Sequence, residues 1–263
     1  MTSDIPWLEC FNIEAWLESK KVFNDFNLNL YLNDNTVIIG PNGSGKSTLL
    51  RLIERSIYPI IKKNSSFKLF GSETINLWSI RKNIGFVSNN IEDRIPYRVK
   101  AIDLVCSGYY GSMFLKSEQV ISTSQKESAS NIFMKLGLQP IMNKFYGELS
   151  QGQRRSVIIA RSLISKPKVL VLDEPLVSLD FGCKFKLLNL LNLISSNGTT
   201  ILHTTHNIES INKYTKRIIL LKEGRILYDG DPLSTINSKH MSELFDYPMK
   251  TLSNNGHWQV FPD

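Results

Sequence analysis

Long apolar runs are missing from this chain of 263 residues: no uninterrupted apolar stretch exceeds four residues, whereas a helix that spans a bilayer needs about 20. The sequence therefore offers no candidate for a membrane-spanning helix. Its start, MTSDIPWLEC, lacks the basic-then-apolar pattern of a secretion signal, so the chain is expected to be soluble and cytoplasmic. Cysteine is scarce. Cys10, Cys106 and Cys183 lie far apart with no C-x-x-C spacing, which argues against a zinc site or a disulfide framework and predicts three buried free thiols. Internal repeats, low-complexity segments and glycine- or proline-rich linkers are also missing, so nothing divides the chain into independent domains. Basic residues exceed acidic ones by a formal charge of +7. They fall in scattered pairs (Lys62 and Lys63, Arg81 and Lys82, Arg154 and Arg155) rather than in one block, which reads as solvated surface plus some phosphate ligands and does not favour a nucleic-acid partner.

What the chain does have is enough apolar content, 42%, to bury a large core. Short β-rich runs near Asn27 to Tyr31, Thr36 to Ile39, Ile84 to Ser88, Val169 to Leu172, Thr200 to Thr204 and Arg217 to Leu221 suit a sheet covered on both faces. Helical spacing follows Lys46 and recurs across Ser124 to Leu138, Gln153 to Ser165 and Cys183 to Ser195. This alternation predicts an α/β fold with a mostly parallel, layered sheet. Strand signals stop between about 90 and 146, which suggests a helical subdomain (90–146) inserted into an α/β core (1–89 and 147–230). A short extension, 231–263, follows.

The strongest motif is GPNGSGKST, Gly40 to Thr48, between the apolar run VII and a helical pattern. It satisfies G-x-x-x-x-G-K-S in the strand, loop, helix context that a phosphate-binding loop requires. Gly43 and Gly45 permit backbone geometry and close approach that a side chain would block, so that successive N–H groups surround a β-phosphate. Lys46 adds a cation toward the β- and γ-phosphates, the helix N-terminus its positive dipole end, and Ser47 a hydroxyl for Mg²⁺. The segment KVLVLDEP, Lys168 to Pro175, ends a strand in two carboxylates: Asp173 for Mg²⁺ and Glu174 for the attacking water. In ELSQGQRR, Glu148 to Arg155, Ser150 and Gln153 form a capping-box pattern, while Gly152 leaves the helix start unobstructed and Ser150 sets a hydroxyl beside free N–H groups. A second anion-binding helix start makes sense if one ATP is sandwiched between two subunits.

Taken in order, GPNGSGKST, LSQGQ, VLVLDEP, SLD at Ser178 to Asp180 and TTH at Thr204 to His206 resemble the motif series of ATP-binding-cassette (ABC) ATPases, from Trp16 to about Gly230. The resemblance implies an ABC nucleotide-binding-domain fold: a P-loop core with a mostly parallel sheet, an antiparallel β portion near the N-terminus and the helical subdomain. It implies ATP and Mg²⁺ as ligands, and a head-to-tail homodimer. In that dimer Gly40, Pro41, Asn42, Gly43, Ser44, Gly45, Lys46, Ser47 and Thr48 of one subunit hold ATP, and Ser150, Gln151, Gly152 and Gln153 of the other close over it. It further assigns His206 to the γ-phosphate and the attacking water, and Asp180 to the subunit contact. His203 is expected to be structural. An aromatic that stacks on adenine falls at Trp16, with Phe11 and Phe23 as alternatives.

In the family, the strand that matches IGFVSNN (Ile84 to Asn90) leads to a glutamine that touches Mg²⁺ and water and couples to a membrane subunit. This chain puts Asn89 there, with the same donor and acceptor set on a stem one methylene shorter. Asn90 and a purely structural turn are the alternatives. VSNN with VCSGYYGS, Val105 to Ser112, is also weakly similar to a molybdenum-transport-related subgroup of stand-alone cassettes. The implied function is the ATPase subunit of a multi-subunit transporter, peripheral on the inner face of the cell membrane. Integral membrane subunits would dock near the helical subdomain, and an importer would add a substrate-binding protein. NKFYGE lacks the acidic coupling motif of exporters, which favours import. Two other readings remain: a soluble cassette ATPase acting on nucleic acid or ribosomes, disfavoured by the single P-loop, and a regulatory cassette of low turnover, disfavoured by Glu174 and His206.

Overall fold

The computed structural model describes residues 5–60, 62–74, 76–115, 118–211, 213–254 and 256–263; the side chains of Asn89 and Asn90 lie outside that description. Its strands are β1 (Leu8–Leu17), β2 (Lys20–Leu30), β3 (Thr36–Ile39), β4 (Ser66–Leu69), β5 (Ile84–Val87), β6 (Val169–Asp173), β7 (Thr200–Thr205), β8 (Arg217–Lys222), β9 (Arg225–Gly230), β10 (Met249–Asn254) and β11 (His257–Pro262). Its α-helices are α1 (Lys46–Glu54), α2 (Leu77–Asn83), α3 (Ala101–Ser107), α4 (Thr123–Lys135), α5 (Gln151–Ser162), α6 (Phe181–Ser196), α7 (Pro232–Thr235) and α8 (Ser238–Phe245). They group into two compact units, one of residues 1–80 and 200–263, the other of 81–199.

In the first unit β3 pairs in parallel with both β7 and β8, and every residue of β3 and β7 is buried. β3 is apolar after Thr36, as burial on both faces demands, whereas β7 also buries the polar Thr200, His203, Thr204 and Thr205. β9 runs antiparallel to β8 through a two-residue turn, Glu223 and Gly224, both at positive φ, the combination that a tight hairpin twisting with its strands prefers. A separate antiparallel sheet, β2-β1-β4, forms the expected N-terminal β portion. The last 33 residues form a folded cover over the parallel strands: Ile236, Met241, Leu244 and Trp258 share a core with Val37, Ile39, Ile218 and Leu220.

In the second unit β5 pairs in parallel with β6, Ile84 opposite Val169. Helix α3 packs on α4 and α5 through buried Leu104, Val105, Ala129, Phe133, Val157 and Ile158. Helix α4 starts at a complete capping box, Ser122 with Gln125, which satisfies two amides that a helix start otherwise leaves unpaired. One expectation about the thiols needs correction. Cys10 and Cys106 are buried, but Cys183 is half-exposed, because it stands in the first turn of α6, outside the helix's buried stripe of Leu187, Leu188, Leu191 and Ile194.

Candidate functional site

The phosphate loop is built by close backbone packing within the first unit. A Cβ on Gly40 would stand 2.1 Å from the Leu221 carbonyl oxygen, and one on Gly224 would stand 1.8 Å from that of Val22. Glycine is therefore required at both places. The Gly224 N–H donates to the Ser44 carbonyl (2.8 Å) and the Gly40 N–H to that of Thr205 (3.2 Å), so β7 and the β8–β9 turn hold the loop from beneath. Gly43 and Gly45 take φ of +78° and +111°, the left-handed backbone for which the sequence predicted glycine. Lys46 is 5% exposed, and its Nζ donates to the Gly40 (2.7 Å) and Pro41 (3.0 Å) carbonyls, which curls the ammonium back over the loop. Asn42, Gly43 and Ser47 face solvent and Thr48 is buried. The Ser44 hydroxyl is buried with no hydrogen-bond partner among the described residues, an orphan polar atom at the loop's centre. Helix α1 starts at Gly45, which brings no side chain to its first-turn amides. Uncapped amides at a helix start favour an anion.

The aromatic neighbours are sorted by burial. Phe23 is fully buried, with its ring 3.0 Å from where a Cβ on Gly45 would be. It supports the loop and is not available to stack on a base, which removes that alternative. Trp16 is 41% exposed and pairs across the hairpin with Lys21, next to the Val22 and Phe23 that abut Gly45. Its indole N–H donates to Glu14 (2.7 Å), and the Lys21 ammonium lies 5.4 Å from the ring centroid. Bonds from Lys62, Trp16 and Lys21 hold the Glu14 carboxyl down at about 2. Phe11 is also exposed, but it pairs with Ser66 toward the opposite end of β1.

His206 follows the last residue of β7 and is exposed. His203, three residues earlier, is fully buried, and burial alone drives its pKa down to about 3, so the ring is neutral and packed, as expected of a structural histidine.

In the second unit Ser150 is the N-cap of α5. Its Oγ accepts from the Gln153 N–H (3.4 Å), and Gln153 Oε1 accepts from the Ser150 N–H (3.0 Å), the reciprocal box read from the sequence. The Ser150 hydroxyl keeps its own proton to donate. Ser150 and Gln151 are exposed, and Gln153 is half-buried. Gly152 has a role that the sequence did not show: a Cβ there would stand 2.9 Å from Cys183 Sγ, so the start of α5 lies directly on the start of α6. Asp180 caps α6, accepting from the Cys183 N–H at 2.8 Å, and that bond leads the causes holding its carboxyl below the usual range. Asp173 ends β6, and Glu174 follows at φ +45°, a conformation rare outside glycine and concentrated at functional sites.

The strand of IGFVSNN ends at Val87, one residue earlier than predicted, and Asn89 opens a 3-10 helix, Asn89–Arg94. The side chain of Asn89, and with it the predicted metal contact, lies outside the described residues. Within that short helix Glu92 stands 3.1 Å from Arg155 of α5, whose side chain is 5% exposed. This pair ties the Asn89 segment to the helix that follows Ser150. The Tyr146 hydroxyl is buried nearby, its pKa pushed up first by burial and then by the Glu92 charge. Glu92→Ala should lower folding stability by about 1–2 kcal/mol, the net size of one hydrogen bond to a charged group, read as a lower midpoint in urea, and a midpoint within error of the parent's would show that the pair contributes nothing.

Among the described residues no group of three or more His, Cys, Asp or Glu side chains could hold a metal ion by itself. No helix among them is long and apolar enough to cross a membrane.

Comparison with known proteins extends this picture. The family model described as ABC transporter matches residues 23–177, and a second, described as AAA domain, putative AbiEii toxin, Type IV TA system, matches residues 145–212. The energy-coupling factor transporter ATP-binding protein EcfA3 of Oenococcus oeni is 35% identical over 75% of this chain and 67% of its own length. The zinc uptake system ATP-binding protein ZurA of Listeria innocua is 31% identical over 85% of both. The structure of cbiO1 from Clostridium perfringens, described as part of the ABC transporter complex cbiONQ, superposes with a TM-score of 0.77 at 24% identity, covering 92% of this chain and 94% of that one. Such names span several transported classes, and the similarity to molybdenum-transport-related cassettes gains no specific support.

Proposed function

The chain belongs to the ABC transporter family of ATP-binding subunits, and from that premise we propose that it powers an importer as a head-to-tail dimer beneath separate membrane subunits. As an ABC-type ATPase, it couples ATP hydrolysis to transport. The observation that carries the assignment is the phosphate loop: a glycine-built cradle with a buried lysine folded back over it and an uncapped helix start. That cradle offers the amide N–H groups and the ammonium that phosphate oxygens accept from. Import is supported by the similarity to ZurA, a zinc uptake system protein, and by NKFYGE in place of an exporter's acidic motif.

Within this reading Gly40 to Thr48 bind the phosphates, with Trp16 stacking on adenine. The exposed Ser47 hydroxyl and the Asp173 carboxylate are the oxygens suited to Mg²⁺, which when bound neutralises phosphate charge. Glu174 orients the attacking water from a left-handed backbone position just after β6. His206 contacts the γ-phosphate. Ser150 and Gly152 of the opposite subunit, with Gln151 and Gln153 beside them, cover the nucleotide, and Asp180 lies at the subunit contact. The helical part, 90–146, faces the membrane subunits on the cytoplasmic side, and a substrate-binding protein delivers the cargo.

Asn89 is proposed as the coupling carboxamide. One neutral carboxamide contributes only about 1 kcal/mol of binding, so Asn89→Ala should change ATP affinity by less than about tenfold while lowering turnover, above all the turnover stimulated by membrane subunits. Asn89→Gln restores the longer reach and should keep or raise the basal rate. Parental rates for Asn89→Ala under both conditions would remove the assignment, and impairment of Asn90→Ala alone would move it by one residue.

A further inference from the structure

We infer that His203 and Tyr214 form a clamp that fixes the segment bearing His206 against the base of the phosphate loop, and that both act as positioning residues for His206. The inference rests on the γ-phosphate role proposed for His206.

The segment leaves β7 at Thr205, carries His206, turns through the short 3-10 helix Ile208–Ser210 and reaches Tyr214 just before β8. The Tyr214 hydroxyl lies 3.2 Å from His203 Nδ1, and both residues are buried. A second buried side chain spans the same two ends. Asn35 Oδ1 accepts from the Ile201 N–H (2.8 Å), and its Nδ2 donates to the Tyr214 carbonyl (2.9 Å). The Asn35 carbonyl accepts from Lys216 and Arg217. Inside the loop Asn207 is held by Thr205 Oγ1, which accepts from its N–H at 2.9 Å, and Asn207 Oδ1 accepts from the Glu209 N–H. At the loop's base the Thr205 carbonyl accepts the Gly40 N–H. His206 is thus one residue from a direct hydrogen bond to the phosphate loop, on a segment pinned at both ends and at its turn, with its own side chain exposed.

The cost of the arrangement argues that geometry is what it supplies. His203 Nε2 is buried with no hydrogen-bond partner among the described residues, and a buried unpaired polar atom carries its full desolvation penalty. An apolar pair of the same shape would avoid that penalty and fill the space equally well. What an apolar pair lacks is direction: the hydrogen bond sets the distance between strand and returning chain, and a satisfied buried polar contact specifies one arrangement where apolar contact tolerates several. Burial keeps the His203 ring neutral.

Tyr214→Phe removes one hydroxyl and keeps the ring. It should lower kcat by about three- to tenfold, the size of one hydrogen bond, with KM and ATP affinity unchanged. Backbone hydrogen exchange should quicken across 203–214 and stay as it was across 40–50. In a His206→Ala background the same change should cause no further loss of kcat, because the group being positioned is gone. His203→Asn keeps an acceptor near the Nδ1 position and should stay closer to the parent than His203→Val; these two carry the comparison if Tyr214→Phe folds poorly. Parental kcat for Tyr214→Phe, or losses that multiply with His206→Ala, would overturn the clamp. If His206→Ala itself matches the parent, the role proposed for His206 falls and the clamp's function with it. If His206→Ala is impaired and Tyr214→Phe is not, the clamp alone falls.

Discussion

Glu174→Gln should bind ATP with parental affinity, turn it over at least a hundredfold more slowly, a conservative figure for loss of a general base, and accumulate as an ATP-bound dimer. The substitution is nearly isosteric and removes only the charge that orients and activates water, while the Gly40 to Thr48 cradle and the Lys46 ammonium are untouched. In the proposed sandwich the dimer opens when hydrolysis removes the γ-phosphate that both subunits would grip, so a dimer that cannot hydrolyse should remain closed. Size-exclusion chromatography with light scattering, with and without ATP and Mg²⁺, reads the outcome directly. Monomer alone at ATP concentrations well above Kd would speak against the sandwich.

The second large effect is expected at Ser150, where arginine should abolish cooperative hydrolysis by the homodimer while ATP binding to the isolated subunit stays unchanged. Ser150 caps α5, and in the proposed head-to-tail arrangement its hydroxyl serves the nucleotide of the partner, so the substitution spares binding within its own subunit. Mixed dimers separate the possibilities. In a head-to-tail arrangement, a Ser150→Arg subunit paired with a Lys46→Ala subunit gathers both defects into one composite site and leaves the other intact. Its rate should exceed that of either mutant homodimer, and equal inactivity of all three would contradict independent composite sites.

The phosphate loop, the Asp173 and Glu174 carboxylates and the Ser150 box were legible because each is a local pattern: residues within nine positions of one another, flanked by runs whose burial dictates strand or helix. The parallel strands β3, β5, β6 and β8 were legible for the same reason, being short and mostly apolar runs, and β7 through its β-branched residues. Strand β1 was not. Its polar and apolar residues alternate unevenly, because the strand is broken by irregular register after Cys10 and by a left-handed Asn12, which disrupts the two-residue period on which recognition depends. The terminal cover was invisible because it uses single anchors such as Trp258, widely spaced in polar sequence. Contacts between distant positions were beyond reach as well. Nothing near Gly152 announces Cys183 as its neighbour, and nothing near Phe23 shows that its ring supports Gly45 rather than a base. His203 illustrates the limit of sequence reading: a structural role was expected, but its full burial and its partner Tyr214 are set by how the chain returns from β7 to β8.

The claim at the centre of this account is that the chain supplies ATP-derived work to a membrane-embedded partner. Its most direct test is purification of the tagged chain from detergent-solubilised membranes, followed by reconstitution of whatever co-purifies in lipid vesicles and measurement of ATPase rate. The account predicts a polytopic membrane protein in fixed stoichiometry that raises the rate above that of the isolated chain, with the increase lost in Glu174→Gln. Recovery of the chain with ribosomes or nucleic acid instead, and an ATPase rate indifferent to every membrane fraction, would contradict it.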